Sequence, residues 1–115
     1  FAMDTMTFFI RNARQLQGCT PTTTALEVTT EDGLTTIFEL QTTGTVSQIV
    51  ATGGHEQTLT SNQYNVANFV MNCDPGQPGV LPPYVTIDFT LERADSQGMV
   101  ISNDFRHTVI VQNNN

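Results

Sequence analysis

The segment 84–92 (YVTIDFTLE) alternates without a break. Val85, Ile87, Phe89 and Leu91 point one way, and Tyr84, Thr86, Asp88, Thr90 and Glu92 the other. Alternation of period two over this length means a strand with one buried and one solvated face, hence an antiparallel sheet. A chain carrying such a strand has to supply partner strands beside it and a second layer over its apolar face.

The partner strands are legible as a meander over 24–112. Segment 24–30 (TALEVTT) puts Leu26 and Val28 on one face, 31–33 (EDG) is a hairpin turn signal, and 34–41 (LTTIFELQ) returns with Thr36, Phe38 and Leu40 sharing a face. A turn at 42–44 leads into 45–51, which Gly53 and Gly54 break, and 55–60 reads as a further short strand. In 64–73 (YNVANFVMNC) period two sets Val66, Asn68 and Val70 apart from Phe69, Met71 and Cys73. The prolines of 74–83 exclude a central strand and predict a surface excursion. Segment 93–103 reads as a polar loop. Segment 104–112 (DFRHTVIVQ) reads as the last strand, with Phe105, His107, Val109 and Val111 on one face, and 113–115 as a frayed tail.

The second layer has one candidate. Over 4–18, Met6, Phe9, Ile10, Ala13 and Leu16 recur at steps of three and four, which gathers them on one side of a helix. Asp4 sits at the N-cap and Gly18 at a C′ stop. The expected fold class is therefore α+β: an N-terminal amphipathic helix packed on an antiparallel β-sheet, as a single domain 1–115. Phe9, Ile10, Ala13 and Leu16 are expected against Val85, Ile87, Phe89 and Leu91. The apolar side is already running at Met6, so the helix reads as the lower part of a longer one, with about 20 or more apolar residues expected upstream.

Charge narrows the function classes. The net charge is −7, the basic residues are Arg11, Arg14, Arg93 and Arg106, and there is no lysine. Phosphate binding needs clustered cations, so no nucleic acid is expected as a partner of this domain alone. Cys19 and Cys73 could be two buried thiols or one disulfide. The neutral, threonine-rich, lysine-free surface has the character of an exported protein, which favours the disulfide.

A search for chemistry returns little. His55 follows two glycines and reads as an exposed polar turn, and His107 as a half-buried histidine on the inward side of the last strand. Asp95, Asn103 and Asp104 have the oxygen ligands calcium takes, without EF-hand spacing. Cys19 lacks a Cys-x-x-Cys partner or a helix N-terminus to activate it. No nucleotide-binding or nucleophile-elbow motif occurs. No catalytic residue, metal ligand or cofactor is expected.

These parts together resemble a known family. An amphipathic helix with Arg11-Asn12-Ala13-Arg14, then Cys19, then a meander closing on residues 104–113 (DFRHTVIVQN) is similar to the type IV pilins and pseudopilins. Phe105, Val109 and Asn113 match that family's last-strand pattern, whereas His107, Val111 and Gln112 stand where threonine, leucine and arginine are usual. The leader, the apolar helix half and its glutamate are not in this sequence. The resemblance implies a structural role in a type IV pilus-like or type II secretion-like filament, helix inside and head outside. It also implies pilin-like subunits as partners, inner-membrane anchoring through a preceding helix, and a place in the cell envelope or on its surface. The alternative is an exported, non-catalytic binding or adhesion module using the polar loops around Gly53–Gly54 and 74–83.

Overall fold

Two antiparallel sheets, rather than one, account for most of the chain. The computed structural model describes residues 2–77 and 79–112. Among them, helix α1 (Ala2–Arg11) precedes β1 (Gln15–Gln17), β2 (Ala25–Thr29), β3 (Thr35–Thr43), β4 (Val46–Gly53) and β5 (Gln57–Thr58). Then come β6 (Asn65–Asp74), β7 (Tyr84–Ala94) and β8 (Val100–Ile110). Strands β1 to β5 form one sheet in sequence order and β6 to β8 a second. The arrangement is β-sandwich-like, mostly strand with one short helix, and it overturns the α+β expectation of a helix packed on a single sheet.

The helix is short for a physical reason. Its apolar spacing continues past Arg11, yet Asn12 turns its side-chain amide and its backbone N–H back to the Phe8 carbonyl, at 2.9 and 3.2 Å. Arg14 then donates to the Thr29 carbonyl (2.8 Å), and Leu16 pairs with Val28 across β1 and β2. Cys19 has to reach Cys73 on β6, and a strand advances about 3.3 Å per residue against about 1.5 Å in a helix. Extended chain covers that span, and pairing with β2 satisfies its backbone. Ala13 is still buried and Leu16 half-buried, so helical spacing chose core residues that arrive from coil and strand.

Within α1, Ala2, Met6 and Ile10 are buried. Half-buried Phe9 tilts against Phe38 of β3, ring centroids 5.7 Å apart, and so meets the first sheet rather than β7. Beyond the other end of the chain's last strand, Gln112 donates to the Arg11 carbonyl at 2.9 Å. The helix thus ties both sheets together over one core. That core joins Leu26, Val28, Phe38, Ile49 and Ala51 to Val66, Phe69, Met71, Val85, Ile87, Phe89 and Val109.

Strand β6 departs from period two. Ala67 pairs with Thr90 and Val70 with Asp88, so Asn68 and Phe69 together oppose Phe89. Asn68 has φ +56°, the left-handed conformation that asparagine tolerates better than most residues. This β-bulge turns Val66 to the same side as Phe69, Met71 and Cys73, and all four are buried. Strict alternation had put Val66 with Asn68 and Val70 on the opposite face.

The expected polar loop 93–103 is instead the tip and upper arm of a hairpin. The Asp95 carboxylate accepts the N–H groups of Gln97 (2.8 Å) and Met99 (2.9 Å), and Gly98 supplies φ +82°. So tight a turn lets β8 begin at Val100, with Ala94 opposite it. The proline-rich excursion does leave the sheet, though only after Asp74, which still pairs with Tyr84. Its turn brings Gly76 so close to the chain that a Cβ there would collide with the Leu81 carbonyl oxygen. Asn113 and the rest of the tail lie outside the described residues.

Candidate functional site

Hairpin register places a polar ladder on the outer face of β7 and β8. The Thr86 and Thr108 hydroxyls hydrogen-bond at 2.9 Å, Arg106 Nε donates to Asp88 at 2.6 Å, and Thr90 donates to Asp104 at 2.8 Å. The Asp88 carboxylate raises the Arg106 pKa, first through the hydrogen bond and then through its charge. Asn68 and Asn72 from β6 extend the same face, and the shallow, open groove between them has a volume of about 540 Å³. Each carboxylate here is already partnered. The chemistry offered is recognition by hydrogen bonding rather than a free acid–base pair.

A second polar group lies where the first sheet meets the helix. His55 Nε2 is 3.1 Å from Asp32 Oδ2, and the His55 ring meets Phe9 edge-on at 5.2 Å between centroids. The Thr30 hydroxyl, then the Leu34 N–H, and then His55 hold the Asp32 carboxyl below its ordinary pKa. These are contacts of a hairpin turn, since Thr30 to Leu34 close the β2–β3 connection. His55 therefore does more than the exposed polar turn expected of it: it joins the β4–β5 loop to that hairpin.

Cys19 and Cys73 form a disulfide, with Cα atoms 4.9 Å apart. Beside it, Cys73 donates its N–H to the Thr20 carbonyl, and Thr23 forms an antiparallel bridge with Met71. The staple thus fastens the segment after β1 to the edge of the second sheet. His107 is exposed rather than half-buried. It shares a face with Phe105 and Val109, but only the lower end of that face is covered. Val109 is buried opposite Val85, while Phe105 stacks on Phe89 with centroids 5.2 Å apart.

The calcium grouping does not assemble. Asp95 spends its carboxylate on the hairpin tip, whereas Asp104 sits far down β8 on Thr90. Among the described residues no group of three or more His, Cys, Asp or Glu side chains could hold a metal ion. The ladder of Asp88, Thr90, Asp104 and Arg106 was missed in the sequence because its members sit in separate solvated strand faces. The turn Asp95–Gly98 was the available signal: once it is seen as tight, the register follows by counting outward. No protein-family model, no curated protein and no solved structure matches this chain.

Proposed function

We propose that this chain is the head domain of a non-catalytic filament subunit, pilin or pseudopilin in kind, exported and assembled through its N-terminal helix. The observation that carries the reading is the seat of α1. One side, Ala2, Met6 and Ile10, is locked into the core, while Phe8 on the other side is 61% exposed. A helix held to the head by one stripe and offering an aromatic on the other is suited to packing among neighbouring helices. The disulfide is compatible with export. The two-sheet architecture differs from the helix-on-one-sheet arrangement that the sequence pattern predicts, so the proposal rests on the helix and on the Phe105 and Val109 positions.

Among the described residues no helix is long and apolar enough to cross a membrane. The reading therefore requires a preceding apolar helix in phase with Met6 and Ile10. Reading the codons upstream tests this: about 20 or more apolar residues are expected. A polar linker or a cleavable signal peptide in that place would remove the filament reading. It would leave an exported binding module, for which the groove beside Asn68, Asn72 and Asp88 is the available surface. In the full-length protein, Phe8→Asp should abolish filament assembly while leaving the head's melting transition in place.

A further inference from the structure

β8 is an edge strand. β7 flanks one side, and among the described residues no backbone hydrogen bond joins the other side of Val100–Ile110 to any segment. The opposite edge of the same sheet is protected, since β6 bonds to Thr20 and Thr23. An open edge is commonly blunted by proline, lysine or a bulge. β8 has no proline, lysine or bulge, and its eleven residues keep unbroken register with β7; α1 packs beside it at His107 without a backbone bond to the strand.

The strand VISNDFRHTVI is its own antiparallel complement about Phe105. Set against a second copy with Phe105 on the two-fold axis, Asp104 faces Arg106 and Asn103 faces His107. Ser102 then faces Thr108, Ile101 faces Val109, and Val100 faces Ile110. Each pair joins opposite charges or like chemistry, the cross-strand combinations that stabilise a sheet. The register is selective. A one-residue slip sets Phe105 against Asp104 or Arg106, and a two-residue slip sets Asp104 on Asp104 or Arg106 on Arg106.

Apart from Val109, already buried opposite Val85, the side chains are free to make these pairs. Arg106 uses Nε on Asp88 yet is 74% exposed, so its other N–H groups are available to a carboxylate across the seam. Val100 and Ile110, 66% and 55% exposed, would cover one another at both ends. We propose that β8 pairs antiparallel with β8 of a second copy of this chain, centred on Phe105. This joins two three-stranded sheets into one of six strands in a symmetric dimer. Its outer face then carries the row Asp88, Arg106, the partner's Asp104 and the partner's Thr90, and the same row inverted.

Cysteine cross-linking reads the register directly, because both native cysteines are tied up in the disulfide. Opposed Cα atoms lie about 4.5–5.5 Å apart, within the span of a disulfide. Phe105→Cys should therefore give a covalent dimer on mild oxidation. Ser102→Cys alone should not, because its own copy lies about 20 Å away along the strand. Ser102→Cys mixed with Thr108→Cys should cross-link. By analytical ultracentrifugation the unsubstituted chain should show concentration-dependent dimerisation. Asp104→Arg should raise the dissociation constant at least about tenfold, by placing like charges opposite each other at two symmetric positions. Glu56→Arg, off the strand, should leave it unchanged, and circular dichroism melts report whether each variant is folded. A chain that stays monomeric at every concentration overturns the proposal. So does a dimer indifferent to Asp104→Arg, or one cross-linked by Ser102→Cys alone.

Discussion

Asn68 decides which side chains of β6 reach the core. Its left-handed backbone adds the extra residue that brings Val66 and Phe69 to one side. Asn68→Gly should be close to neutral, whereas Asn68→Val should cost about 1–2 kcal/mol, read from the urea midpoint. Phe89 faces this bulge, is buried, and stacks on Phe105. Phe89→Ala should cost about 3–5 kcal/mol. Thr90→Ala, on the other face, should cost only about 1 kcal/mol for the lost bond to Asp104. At Asp32 the folded carboxyl titrates below its ordinary value of 3.8, chiefly through the Thr30 hydroxyl. A depressed carboxyl contributes stability above its unfolded pKa and loses it as pH falls through the folded pKa. The β2–β3 turn should therefore loosen only below about pH 3.8, and a carbon-13 carboxyl titration by NMR should place the Asp32 midpoint under that value.

Elements obey local pattern only while tertiary demands agree with it. β7 does: its alternation was legible because period two belongs to the strand itself, and Val85, Ile87 and Phe89 are buried as that pattern requires. α1 does not, because residues 12–18 satisfy helical spacing while Gln15–Gln17 also satisfy strand pairing with β2, and the link from Cys19 to Cys73 favours the strand. Local pattern starts β8 too late, at Asp104, because Ser102 and Asn103 have the character of loop residues, which an exposed edge strand accommodates as readily. The Cys19–Cys73 link spans 54 residues of sequence. Removing it with Cys19→Ala and Cys73→Ala together should lower stability by about 4 kcal/mol, measured as a shift in the denaturation midpoint. An unchanged midpoint would mean that the Thr20 and Thr23 backbone bonds hold this edge unaided.

At the scale of the molecule, charge was readable and layering was not. The net charge of −7 needs no structure, and the fold engages two of the four arginines. Arg106 is on Asp88, and Arg93 lies over the Tyr64 ring at 5.8 Å. A labelled DNA duplex should show no salt-dependent shift at micromolar concentrations of this domain, and such a shift would require Arg11, Arg14 and Arg106 to act together. The disulfide, the sheet-forming faces of β2, β3 and β7, and the exclusion of strand from the proline segment all followed from composition and local period. These depend on chemistry and steric preferences carried by each residue and its near neighbours. The division into two sheets, the end of the helix at Arg11 and the reversal of faces in β6 were decided only in the folded molecule. Each of these turns on which distant segment satisfies a backbone edge or an apolar face. Local patterning states that such a partner is needed without saying which one it is.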